Sequence, residues 1–166
     1  MQSIPRKSSF PPVAAPDARL LILGSLPGDR SLAEHRYYAH PRNQFWQLIS
    51  AVIDRDLPPL PYPDRLTALK QARIALWDVI ASAHRPGSTD AALREPTAND
   101  LPALIATLPH LTTIAFNGAT AAKHGRKLLA ATPHHLIDLP SSSPLHTVGI
   151  AAKLPAWMGL RGALRS

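Results

Sequence analysis

Two short segments of this chain hold the side chains best suited to chemistry. Residues 24–28 read Gly-Ser-Leu-Pro-Gly and residues 43–46 read Asn-Gln-Phe-Trp. A turn through Gly24, Pro27 and Gly28, with Ser25 and Leu26 inside it, brings bare backbone amides close to a ligand. The Asn43 carboxamide has an acceptor oxygen and two donors, so it can orient a water molecule. Phe45 offers a ring on which a flat heterocycle can stack. Trp46 should point into the core, because adjacent helical positions diverge by about 100°. Asn43 is equally suited to cap a helix starting at Gln44, and its spacing alone favours that role.

The elements that must position these groups are legible as periodicity. Four β-rich apolar runs recur, Leu20–Leu23, Ile74–Trp77, Thr113–Phe116 and Leu136–Leu139. Helical spacing separates them. Phe45, Trp46, Ile49 and Ile53 share one face, as do Leu66, Leu69 and Ala72 behind Pro63 and Asp64. Asn99 can cap a helix carrying Leu101, Leu104, Ile105 and Leu108. A helix weakened by Gly125 follows Gly118, and a last one follows Leu145 through Trp157 and Leu160. Near-continuous apolar strands alternating with helices predict an α/β fold, a three-layer sandwich with a central four-stranded parallel sheet flanked by helices.

In such sheets ligands bind beyond the carboxyl ends of the strands. All four ends here are polar or turn-forming: Gly24–Gly28, Asp78, Asn117-Gly118, and the stretch from Pro140 to His146. Asp78 can accept a hydrogen bond from a ring N–H, or cap a helix, or pair with an arginine. Asn117 either faces a site or forms the turn into Gly118. The polar stretch 84–96 reads as a functional loop at the sheet's edge. Residues 1–17, rich in Pro and Ser, read as a flexible basic arm without the apolar core of a secretory leader, and 18–166 as a single domain.

Composition narrows the function. Among 166 residues, 18 Lys and Arg outweigh 11 Asp and Glu for a net charge of +7, which favours a polyanionic partner, nucleic acid first. There is no cysteine, so disulfides, zinc–thiolate sites and iron–sulfur clusters are excluded. That composition is consistent with a cytoplasmic protein. No run approaches the length of a membrane span. Gly28 is followed by Asp29, not by the Lys-Ser/Thr of a phosphate-binding loop, and G-x-x-x-G is not a dinucleotide fingerprint. Ser141–Ser143 lack the glycines of a nucleophile elbow. His134 and His135 would face opposite sides of a strand and cannot grip one metal, so no metal is expected.

Taken jointly, GSLPGDRSL, YYAHPRNQFW, ALWDVIASAHRPGSTD and LPSSSPLH resemble the uracil-DNA glycosylase superfamily, and most of all its hypoxanthine-DNA (deoxyinosine) glycosylase branch. The resemblance runs from about Leu20 to His146. It implies a DNA substrate holding a deaminated base, no cofactor, and hydrolysis of an N-glycosidic bond without strand cleavage. Many relatives carry a water-activating Asp or Asn within the first motif. Here that turn holds Ser25 and Leu26, and the branch uses instead the Asn of its PRN-x-FW segment, Asn43. Aligning Pro144 and Leu145 places Ser141 where relatives often carry a base-stabilising His, with His146 nearby.

On a DNA substrate further roles follow. Gly24–Gly28, Phe45, Asp78 and Asn117 would bind the base, and Tyr37 and Tyr38 could shape its pocket. Leu145 would plug the vacated stack, as apolar wedges do. Ser141, Ser142 and Ser143 would donate to flanking phosphates, with Arg42, Arg85, Lys123, Arg126 and Lys127 as further contacts. A monomer is expected. The rival readings are an inactive nucleic-acid-binding relative and an unrelated small-molecule enzyme with a basic surface.

Overall fold

The computed structural model describes residues 6–165. The first half runs β1 (Arg6–Ser8), β2 (Leu20–Gly24), α1 (Asp29–Glu34), α2 (Phe45–Ile53), α3 (Tyr62–Gln71), β3 (Ile74–Asp78) and β4 (Ile80–His84). The second runs β5 (Arg94–Ala98), α4 (Leu101–Ala106), β6 (Thr113–Asn117), α5 (Ala119–Leu128), β7 (His135–Leu139), α6 (Ile150–Met158) and α7 (Arg161–Leu164).

The four apolar runs form one parallel sheet in the order β3-β2-β6-β7. Side chains alternate across it because successive Cβ atoms of a strand point to opposite faces. Leu20, Ile22, Ile74 and Leu76 pack on one face with Phe45, Trp46 and Leu48 of α2 and Trp157 of α6. Leu21, Leu23, Ala75, Ile114 and Phe116 pack on the other with Leu101 and Leu104 of α4 and Ala121 and Ala122 of α5. These are the three expected layers. Gly125 is what lets α5 lie so close. A Cβ there would sit 2.3 Å from Phe116 Cε1, so the helix gives up propensity to gain contact with the sheet.

Register then fixes the site. Gly24 lies beside Asp78, and Asn117 beside Leu139, so all four strand ends reach one rim.

A second sheet, antiparallel in the order β1-β4-β5, was not anticipated. The expected edge loop 84–96 is largely its hairpin connection, with a 3₁₀ turn at Asp90–Ala92. β1 also corrects the reading of residues 1–17 as a flexible arm. From Arg6 onward the chain is bound: Arg6–Ser8 pairs with β4, and Val13 exchanges backbone hydrogen bonds of 2.9 and 2.8 Å with Leu76 on the edge of β3. Both edges offered unpaired peptide groups, which these residues satisfy. Residues 1–5 of that arm lie outside the described range.

Two smaller corrections concern caps and breaks. Asp100, not Asn99, caps α4 by accepting from Ala103 N–H, while Asn99 donates to the Asp78 carbonyl at 2.7 Å. The last helix is two, separated at Gly159–Leu160.

Candidate active site

Beyond the carboxyl ends of the parallel strands lies a cavity of about 500 Å³. Its wall draws on the Gly24–Gly28 turn, Tyr37, Tyr38, Asn43, Asp78, Asp90, Asn117 and the Ser141–His146 stretch. The turn earns its glycine at position 24. A Cβ there would lie 2.7 Å from Asp78 Oδ1 and 3.1 Å from the Tyr38 hydroxyl, so only a bare backbone fits.

Asn43 lines this cavity and also closes the start of α2, one residue ahead of the N-cap position, Gln44. Its Oδ1 accepts from Phe45 N–H at 2.9 Å, which leaves one lone pair of the oxygen and the whole NH₂ group. The helix consequently starts at Phe45, one residue later than expected. Capping and lining the cavity are compatible, because the cap fixes the carboxamide's orientation.

Asp78 is 3 % exposed, and the Ser9 hydroxyl donates to its Oδ2 at 2.8 Å. Burial pushes its carboxyl up to about 7. The Ser9 bond and the Arg85 cation lower it, and the charge of Asp90 adds to the rise. Near neutral pH this group therefore exists both as donor and as acceptor. Burial likewise raises the Tyr37 and Tyr38 phenols, with the Asp78 charge as the second cause, so both remain neutral. The Tyr38 hydroxyl is buried beside Gly24, and the neighbouring Asn117 side chain opposes part of the rise in its pKa.

Several expected contacts are placed elsewhere. Phe45 is fully buried and is not part of the cavity wall. It stacks under Tyr38 with centroids 4.0 Å apart and meets Trp157 edge-on at 5.9 Å. Tyr38 is thus the cavity-lining layer of that aromatic stack. Trp46 is core, as expected. Leu26, although at the wall, packs against Ile80 and Ala83 beneath the turn.

Ser142 is 1 % exposed and turned inward, so it cannot serve a phosphate. Its N–H donates to Asn117 Oδ1 and its hydroxyl accepts from Asn117 Nδ2, both at 2.9 Å. Asn117 consequently holds the loop and has little left for a base. Ser141 and Ser143 remain partly exposed, their hydroxyls accepting from Ser143 N–H and Leu145 N–H at 3.1 Å. Leu145 stands out at 58 % exposure, and His146 is exposed beside it. The buried Lys153 ammonium grips the His146 carbonyl at 3.1 Å.

Arg42 is exposed outside the cavity wall. Arg85 is fully buried and so is no phosphate contact. Its guanidinium donates to the carbonyls of Gly87 at 2.8 Å, Pro27 at 2.5 Å and Leu26 at 3.4 Å, tying the hairpin connection to the glycine turn. Arg126 is spoken for by Asp138 at 2.9 Å. The sequence reading missed Ser9, hidden in the supposed arm, and Asp90, which sits in a polar stretch with no periodicity to betray its direction.

The comparisons with known proteins agree with this geometry. The family model for the uracil DNA glycosylase superfamily matches residues 11–158. A protein named hypoxanthine DNA glycosylase from Methanosarcina barkeri (strain Fusaro / DSM 804) is 36 % identical over 152 residues, 92 % of this chain and 96 % of the relative. A protein of the same name from Methanosarcina acetivorans is 39 % identical over 137 residues, 82 % of this chain and 86 % of the relative. A solution NMR structure from M. acetivorans, of a protein provisionally assigned as a uracil DNA glycosylase, superposes with a TM-score of 0.87 at 34 % identity, covering 96 % of this chain and 98 % of that one. With most of its length shared in this way, the chain belongs to the uracil DNA glycosylase superfamily and is, by that membership, a DNA N-glycosylase.

Proposed function

We propose that this enzyme draws a deaminated base, hypoxanthine or uracil, out of DNA into the rim cavity and hydrolyses its N-glycosidic bond without cutting the strand. The observation that carries the reading is the Asn43 carboxamide, locked by its cap on the wall of the cavity that also holds Asp78 and the Gly24–Gly28 turn. Two relatives named hypoxanthine DNA glycosylase favour the purine. The reading includes a monomer acting in the cytoplasm; no helix among the described residues is long and apolar enough to cross a membrane.

Extraction of a base costs a few kcal/mol of stacking and pairing. Leu145 is the exposed apolar group that would fill the gap, and the net charge of +7 draws the phosphates in. Inside, Tyr38, backed by Phe45, supplies an aromatic wall. Asp78, ionised, would accept the N1–H of hypoxanthine or the N3–H of uracil; protonated, it would donate to a carbonyl. The Tyr38 hydroxyl is a second donor at the same end.

When the C1′–N bond breaks, the sugar develops oxocarbenium character and needs a positioned nucleophile more than a strong one. Asn43 is neither acid nor base near neutral pH, so its part is to hold the water in line.

The test is a single-turnover assay on duplexes containing deoxyinosine or deoxyuridine, followed by alkali to reveal abasic sites. Asn43→Ala is expected to lose about 10²-fold or more in rate, the scale of a removed orienting group, while binding duplex DNA within a few-fold of wild type. Undiminished turnover would remove Asn43 from the mechanism. A wild-type protein that binds DNA and releases no base would be the inactive relative.

A further inference from the structure

A water that attacks C1′ must lose a proton, and Asn43 cannot take it. A carboxamide is not a base near neutral pH, and one lone pair of its oxygen is already committed to Phe45 N–H at 2.9 Å. The glycine turn offers no carboxylate either, since Ser25 and Leu26 occupy its inner positions.

Besides Asp78 and the Lys7-paired Asp29, the same cavity wall contains an acid brought in from outside the parallel sheet. Asp90 sits on the 3₁₀ turn between β4 and β5, at the wall of the cavity. The Ser25 hydroxyl donates to it, with Oγ 2.9 Å from Oδ1 and 2.8 Å from Oδ2. Its side chain keeps 35 % exposure, so the carboxylate has a route for protons to solvent.

Resting on the glycosylase reading above, we propose that Asp90 is the proton acceptor for the attacking water, reached directly or through the Ser25 hydroxyl, and supplied by the hairpin connection in the place of the carboxylate the glycine turn lacks.

The step balances without a cofactor. The C1′–N bond breaks with its electron pair passing to the base, and the water oxygen bonds to C1′. One water proton goes to Asp90, or to Ser25 Oγ as the serine passes its own to Asp90. Asp90 then yields that proton to the departed base or to solvent.

A cation and two hydroxyls beside the carboxylate offset part of the cost of its burial. Arg85 Nη1 lies 3.9 Å from Asp90 Oδ1, and its guanidinium cannot swing away because three backbone carbonyls hold it. Burial raises the Asp90 carboxyl above its ordinary range, while the Ser25 and Thr120 hydroxyls, the Arg85 cation and the charge of His124 oppose that rise. Asp78 faces it across the site, largely shielded and already bonded to Ser9. Of the three acids on the wall, Asp29 is paired with Lys7, and Asp78 and Asp90 have the different settings that a divided acid and base require.

The deciding experiment compares the full-length wild type with Asp90→Asn, Asp90→Ala and Ser25→Ala in single-turnover release of hypoxanthine from a deoxyinosine duplex between pH 5 and 9. Asp90→Asn should fall by about 10²-fold, the lower end for a lost general base. It should also lose the decline in rate on the acid side, because only an ionised Asp90 works and acid removes it. Sodium formate should restore Asp90→Ala at least about tenfold where sodium chloride at the same ionic strength does not, since a small carboxylate can stand in for a base. Ser25→Ala keeps the carboxylate and should fall about tenfold with an unchanged melting temperature; it carries the test if the Asp90 variants melt early.

Asp90→Asn turnover within threefold of wild type, with the acid limb intact, would overturn the proposal, as would Asp90→Ala that formate leaves unrescued. A wild type inactive on both deoxyinosine and deoxyuridine would instead overturn the glycosylase reading, and the proposal with it.

Discussion

In β2 every residue from Leu20 to Gly24 is buried, whereas in β5 every residue from Arg94 to Ala98 is exposed. Both sheets serve the same cavity. The parallel sheet does so through bulk, with apolar faces on either side and Asp78 and Asn117 carried at its tips. The antiparallel sheet does so through polar bonds, since its connection reaches the site by way of Arg85, Ser88 and Asp90. The contrast teaches that apolar bulk holds one sheet and polar bonds tie the other to the cavity. A change in the first should be felt as unfolding, and a change in the second as altered rate.

The largest effect that would sharpen this division is expected from Leu21→Ala. Leu21 is fully buried between β2 and the α4–α5 layer. Its loss should cost about 2–5 kcal/mol in denaturant unfolding, while the rate per folded molecule holds. A large fall in rate with little loss of stability would break the comparison.

Next comes Asp78→Asn, read as a function of pH. Burial holds a proton on native Asp78 up to about pH 7, whereas the unfolded chain releases it near the ordinary carboxylate value. Wild-type stability should therefore decline as pH rises between those two points and level off above pH 7. The asparagine variant escapes that decline. Its unfolding free energy relative to wild type should rise from pH 4.5 to pH 8, by on the order of 1–4 kcal/mol at most. A gap that stays constant would mean that the carboxylate is ionised throughout.

The smallest effect belongs to Arg6→Ala. Arg6 links the antiparallel strands, donating to Ser82 Oγ at 3.1 Å and to Thr97 Oγ1 at 2.5 Å. Global stability should change by less than about 1 kcal/mol, yet amide exchange in β4 and β5 should quicken. Uniform exchange across both sheets would show that they open together.

The same contrast explains what could be read from sequence. A strand buried on both faces must be apolar along its length, so LLIL, IALW and TIAF stood out with their polar ends, while the more exposed edge strand β7 showed as LIDL through its three apolar residues. β5, spelled Arg-Glu-Pro-Thr-Ala, has no buried face and hence no pattern, and three-residue β1 is too short to show one. Ser9 and Asp90 were lost with those strands. Phe45 was misjudged for another reason. Divergence along a helix argues for one outward ring of the Phe45–Trp46 pair, but Tyr38 and Trp157 cover the start of α2, and both rings are buried. Ser142 looks like its neighbours in a serine triplet, and only the position of Asn117 across the rim reveals which of the three turns inward.

That link between Asn117 and Ser142 has a mechanical consequence. A side chain driven into a duplex, as proposed for Leu145, meets the recoil of the bases it parts, and a hinge beneath it would yield first. Here the amide of Asn117 clasps Ser142 along both edges, and Gln44 N–H holds the Ser142 carbonyl at 2.9 Å from the opposite flank. The turn beneath Leu145 is thereby braced against strand β6 and helix α2, so thrust at its tip is borne by the framework of the protein.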